Sequence, residues 1–191
     1  YPEALIAYEQ ATRFNPNSAA SHCHRGHTLR HLQRYSEALT AYEQALQTGS
    51  SEVSAVAWNG KGRVLSDLKR YPEALVAYEQ ALQFNSHYAE PYVNKGIIFH
   101  ELKQYTEALA AYEQASQLDP HYTAPYFYQG NVLVDLKHYA EALAAYEQAL
   151  LLDPRYAAAY HGKGRVYEIL GLEEEAKEAF GKAAFLNPVV R

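Results

Sequence analysis

Cys23, His27 and His31 come nearest in this chain to a chemically reactive set. They are spaced four residues apart, so on a helix they share one stripe. Cysteine and histidine at that spacing can ligate zinc or nickel, with the thiolate and neutral imidazoles as donors. Such a site also needs a carboxylate to orient the imidazoles, and the sequence places none beside them. A polar helix face accounts for the stripe equally well. The three residues are a metal candidate only, and no cofactor is expected.

Catalytic patterns are missing altogether. There is no glycine-rich phosphate loop, no Gly-x-Ser-x-Gly and no paired-histidine metalloprotease helix. The carboxylates that attract notice are Glu3, Glu37, Glu73, Glu107 and Glu141, and they recur in identical surroundings. A residue repeated five times serves the scaffold, and negative charge in the first turn of a helix suits the helix dipole. Glu9, Glu43, Glu79, Glu113 and Glu147 recur in the same way and belong to a solvated back face. No enzymatic activity is expected.

Composition narrows the rest. With 48% hydrophobic and 20% charged residues, the chain has the balance of a folded protein and not of a disordered one. A net charge of -5 gives no basic footprint for nucleic acid. No apolar run is long enough to span a bilayer, and no secretory leader opens the chain. The single cysteine excludes an internal disulfide framework, which fits a reducing, cytoplasmic setting. The chain has no methionine and starts in mid-pattern at Tyr1, so it reads as a segment of a longer protein, of bacterial type.

The elements that position these residues follow from a period. Tyr-x-Glu-Ala-Leu begins at Tyr1, Tyr35, Tyr71, Tyr105 and Tyr139, and a degenerate copy begins at Glu173, with spacings of 34, 36, 34, 34 and 34 residues. Ala-Tyr-Glu-Gln-Ala follows most copies, and Gly26, Gly62, Gly96, Gly130 and Gly164 precede them. With Tyr35 set at position 17 of a 34-residue unit, a half repeat covers 1–18 and full repeats cover 19–52, 55–88, 89–122, 123–156 and 157–190. Position 4 is aromatic in all full repeats but the first, which has His22. Positions 20 and 27 are alanine six times each.

Each unit reads as two helices. The first is apolar or small at positions 4, 8 and 11, the second at 17, 20, 21, 24, 27 and 28, which is the spacing of one buried helical face. Glycine at 8 and alanine at 20 and 27 allow close approach of the two. Pro2, Pro72, Pro91 and Pro125 fall in first turns, where the missing N–H costs nothing. Pro16, Pro120, Pro154 and Pro188 fall just past the second helix and stop it. Two extra residues near Ser50 to Ser54 are expected to loosen or bulge that joint, and Glu173 replaces the tyrosine of position 17 in the last repeat.

This pattern resembles the tetratricopeptide repeat family over essentially the whole chain. The resemblance implies an all-α, right-handed superhelical solenoid of antiparallel helix pairs, here one domain over residues 1–191, with the first helices lining a concave groove. It also implies a partner: a protein or peptide segment held in that groove. The family's groove positions are 2, 5, 6, 9, 12 and 13. On this chain they point to Asn59, Arg63, Val93, Asn94, Ile97, Phe127, Tyr128, Asn131, His161 and Arg165 as peptide-binding residues. Asparagines would bond a peptide backbone, arginines its carboxylates, and the apolar middle an anchor side chain. The first full repeat, with His24, His27, Arg30 and His31, should form a cationic, histidine-rich end. Two other roles stay open: self-association through uncapped solenoid ends, giving a homo-oligomer, and service as the regulatory or recruiting part of a larger enzyme.

Overall fold

The computed structural model describes residues 1–187. Among them are eleven helices and no strand: α1 (Pro2–Phe14), α2 (Ala19–His31), α3 (Tyr35–Thr48), α4 (Ser51–Asp67), α5 (Tyr71–Phe84), α6 (Ala89–Glu101), α7 (Tyr105–Leu118), α8 (Thr123–Asp135), α9 (Tyr139–Leu152), α10 (Ala157–Ile169) and α11 (Glu173–Leu186). Even-numbered helices are the first of each repeat and odd-numbered helices the second. The all-α array of helix pairs expected from the period is present. The helix stop assigned to Pro188, and the end of the last repeat, lie outside the described residues.

The chain divides into two compact units, Tyr1–Ile98 and Phe99–Arg191. In the first, Ala38, Ala41 and Ala45 of α3 are fully buried together with Tyr42, Leu29 and Val64. In the second, Ala142, Tyr146 and Ala149 of α9 are buried with Ala159 and Val166 of α10. The alanines keep the helix axes close, and the tyrosine rings fill the space opposite the glycines. A Cβ on Gly26 would stand 3.0 Å from Tyr42, and one on Gly130 would stand 2.5 Å from Tyr146. The first helices bury position 10 as well as the expected stripe: Val64, Ile98, Val132 and Val166 have no exposed surface.

The turn inside each repeat is closed by one residue in the left-handed region: Gln33, Lys69, Lys103 and Lys137 have φ between 57° and 61°, and Gly171 has φ 73°. The turn is a Schellman cap. The N–H of Arg34 donates to the Leu29 carbonyl and that of Gln33 to the Arg30 carbonyl, and Arg70 and Leu65 repeat the long bond in the next repeat. The helix that follows has no side-chain cap at its N-cap residue. Instead the N-cap arginine pairs with the first-turn glutamate, Arg34 with Glu37 at 2.7 Å and Arg70 with Glu73 at 2.6 Å. Glu37 and Glu73 therefore hold the starts of α3 and α5.

Two departures from the template are absorbed. His22 is buried, and its Nε2 donates to the Pro16 carbonyl at 2.8 Å, which replaces the packing of a larger ring by a hydrogen bond. The two extra residues near Ser50 do not loosen the joint. They join α4, which has 17 residues where the other first helices have 13. Ser54 and Ala55 are buried, and the Ser51 hydroxyl donates to the Phe84 carbonyl at 3.0 Å. Burial of the inserted turn, with a backbone partner for its serine, makes helix the lower-energy outcome.

Candidate functional site

In the first unit a pocket of about 520 Å³ opens between α2 and α4. Ala20, Cys23, Val53 and Val56 give it apolar walls, and His27 and Arg63 stand at its polar edge. Tyr42 reaches it because position 6 of α4 is Gly60, where a Cβ would collide with the ring at 2.3 Å. Burial pushes the Tyr42 phenol up to about 12, so it is a neutral hydroxyl.

The polar side of this pocket is one hydrogen-bonded chain. Asn94 donates to Asn59 Oδ1 at 2.9 Å, Asn59 donates to the Tyr88 hydroxyl at 3.1 Å, and Tyr88 donates to Glu90 at 2.7 Å. Arg63 Nη1 donates to the other oxygen of Glu90 at 2.9 Å. Arg30 makes a two-pronged pair with Asp67, at 2.6 and 3.1 Å. The expected cationic end is thereby corrected: both arginines are neutralised by carboxylates of the following repeat. His27 and His31 are both held below the ordinary histidine value. Burial, each other and the two arginines hold His27 down, and burial, Arg30 and Arg63 do the same to His31.

The metal candidate is corrected too. Cys23 turns inward, its Sγ 3.9 Å from the Val53 carbonyl, and burial raises its pKa to about 11, the opposite of a ligand thiolate. His27 and His31 are exposed and face each other, Nε2 to Nε2, at 3.1 Å. Among the described residues no three histidine, cysteine, aspartate or glutamate side chains gather as a metal site.

In the second unit a pocket of about 340 Å³ lies between α8 and α10. It gathers Phe127, Asn131, His161 and Arg165 from the expected set, with Val134 and Tyr146. Tyr146 enters past Gly162, whose Cβ would stand 2.6 Å from the ring. Its hydroxyl donates to Asn131 Oδ1 at 2.7 Å and so turns the Asn131 amide nitrogen outward as a donor. His100 and Asp135 pair at 2.7 Å along one side. Arg165 is exposed, and among the described residues no carboxylate is paired with it.

The remaining expected residues do not join the second pocket. Val93 and Asn59 are both buried, because position 5 packs inward in the early repeats. Ile97 is half-buried outside the pocket's lining. Tyr128 stacks on Tyr112 at 5.7 Å and meets Phe127 edge-on at 5.2 Å, so it covers a neighbour instead of lining the cavity. The residues not foreseen are Gly60, Gly162, Tyr42, Tyr146, Tyr88 and Glu90. A signal for two of them, the glycines, is in the sequence. Gly-Lys-Gly-Arg-Val stands at 60–64 and again at 162–166, 102 residues apart, against a background period of 34.

Helix pairs closed by a left-handed turn, with glycine facing an aromatic ring, define a tetratricopeptide-type repeat protein. Tetratricopeptide repeat models match residues 17–85, 53–121 and 157–189, and a TPR repeat model matches 130–171; the chain belongs to this family. Proteins of the family generally mediate protein–protein interaction. Among solved structures, the chain is similar to YrrB, described as a TPR protein with an unusual peptide-binding site, at 27% identity over 96% of this chain and 94% of that one, with a TM-score of 0.61. It is similar to MamA at 23% identity over 85% and 94%, with a TM-score of 0.67. A thermophilic TPR protein of Thermus thermophilus, TTC0263, shares 22% identity over 91% and 93%, with a TM-score of 0.78. No curated protein sequence matches. Among the described residues no helix is long and apolar enough to cross a membrane.

Proposed function

We propose that this chain is a protein-interaction module whose second unit holds a polypeptide segment that presents an apolar side chain next to a carboxylate. The observation that carries this reading is Arg165, a cation without a carboxylate partner among the described residues, at the mouth of a pocket walled by Phe127 and Val134. The apolar side chain lies against that wall. Arg165 takes the carboxylate, and Asn131, held by Tyr146, donates to a peptide carbonyl. The likeness to YrrB, a peptide-binding member of the family, supports it.

The test is a fluorescence-polarisation titration of labelled, end-capped peptides that carry phenylalanine beside glutamate. Arg165→Ala should weaken binding about tenfold or more, the usual loss when a charge-assisted contact goes. Equal affinity for the wild type and the variant defeats the reading.

A further inference from the structure

The motif of the second unit's pocket recurs in the first, and residue by residue it does the same work. Gly60 and Gly162 admit a tyrosine ring, with hypothetical Cβ atoms at 2.3 and 2.6 Å. Gly62 and Gly164 admit Tyr78 and Phe180, at 2.5 and 2.7 Å. Lys61 pairs with Glu43 and Lys163 with Glu147, each at 2.9 Å. Val64 and Val166 are fully buried, and Arg63 and Arg165 both reach a pocket.

Two differences separate the copies. In the second unit the Tyr146 hydroxyl is engaged by Asn131. In the first unit position 9 of the facing helix is His27, and the Tyr42 hydroxyl makes no hydrogen bond among the described residues although the side chain is only 2% exposed. An unpartnered hydroxyl at the floor of a pocket is a polar group waiting for a ligand. The second difference is charge. Arg165 faces the pocket unpaired, whereas Arg63 is held by Glu90, which Tyr88 holds in turn.

We propose that the pocket of the first unit is a second polypeptide-binding site, which takes an uncharged apolar side chain on Ala20, Val53 and Val56 and a peptide carbonyl on the Tyr42 hydroxyl, and that Glu90 bars carboxylates from it. Charge complementarity decides the occupant. The cation that attracts an acidic side chain in the second unit is already neutralised here, and a carboxylate would meet Glu90 first. Glu52, which also lines the pocket, adds a second carboxylate that disfavours an acidic occupant. The assignment of the carboxylate class rests on the reading of Arg165 given above.

Two end-capped tetrapeptides separate these statements, Gly-Phe-Gln-Gly and Gly-Phe-Glu-Gly, followed by the amide signals of Gly60 and Gly62 for the first unit and of Gly162 and Gly164 for the second. The glutamine peptide should shift Gly60 and Gly62, and the glutamate peptide should bind there about tenfold more weakly. Glu90→Gln, which removes the charge at nearly constant shape and keeps one oxygen to accept from Arg63, should raise the glutamate peptide's affinity at Gly60 about tenfold. Tyr42→Phe should weaken the glutamine peptide about fivefold, the value of one hydrogen bond. The proposal is overturned if the glutamine peptide leaves Gly60 and Gly62 unmoved, or if Glu90→Gln leaves the preference between the peptides as it was. Failure of the glutamate peptide at Gly162 and Gly164 counts instead against the reading of the second unit.

Discussion

The ring of Tyr42 occupies the space where a side chain on Gly60 would have to stand, 2.3 Å from where that Cβ would lie. Position 6 of a first helix thus decides what the preceding tyrosine does. Glycine there leaves Tyr42 and Tyr146 open to a pocket. Tyrosine there, as in Tyr128, lies flat over Tyr112, whose buried hydroxyl has no hydrogen-bond partner among the described residues. The same core residue is a pocket floor in one repeat and plain filling in another.

Gly60→Ala should destabilise the protein by about 1–3 kcal/mol, because the added methyl would collide with the Tyr42 ring at 2.3 Å. Gly181→Ala is the control. Its Cβ would meet nothing within 4 Å, and it sits inside α11, so the change should stabilise by about 0.5–1 kcal/mol. Urea unfolding of both variants checks the contrast, and destabilisation of equal size would show that the close approach is not what Gly60 provides.

Asn59 is 2% exposed and bonded at both ends of its amide. Asn59→Leu should cost about 1–3 kcal/mol through the groups it strands on Tyr88 and Asn94. Asn94→Ala, on a half-exposed residue, should cost less than about 1 kcal/mol. Chemical denaturation of the two variants ranks them, and the reverse order would place the network's centre at Asn94.

Lys137 adopts φ 61° at the turn between α8 and α9, a conformation in which a Cβ costs about 1 kcal/mol. Lys137→Gly should therefore raise the melting temperature, and Gly171→Ala, at φ 73°, should lower it. Calorimetry of both reads the sign directly.

Acid should weaken the first unit. The folded state holds His27 and His31 below the ordinary histidine value of 6.5, so it resists protons that the unfolded chain accepts. The unfolded state then binds more protons, and stability falls as pH drops below about 6.5. His31→Gln removes one member of the pair and should shrink the difference between urea midpoints at about pH 7.5 and about pH 5.5, on either side of that value. An unchanged difference would place the acid sensitivity elsewhere.

The fold was legible because its determinants recur. Alanine at 38, 74, 108 and 142, and tyrosine at 42, 78, 112 and 146, sit in the same packing each time, so the period alone locates the core. The pockets were only partly legible. Arg63 and Arg165 look identical in sequence, and what neutralises Arg63 is Glu90, which lies in the next repeat and binds through space. Val93 was expected to face outward from its position number, but helix packing varies by enough to bury it. Phe127, Asn131, His161 and Arg165 share one cavity because the period places them on facing sides of α8 and α10. The part played by the glycines at 60 and 162 is hard to read from sequence because they contribute absence, a space filled by a ring 18 or 16 residues earlier.

Because the inserted residues near Ser50 lie inside a helix, the joint between the first two full repeats behaves as a phase setting and not as slack. Each residue of a helix turns it by about 100°. Removal of two residues there would swing everything on their N-terminal side by about 200°, and would take Glu52 and Val53 away from the wall they form with Val56. A protease that needs extended chain finds a wound helix from Ser51 onward. Length in this chain is therefore a rotational code: an insertion that a loop would tolerate without consequence here decides which side chains look into the pocket.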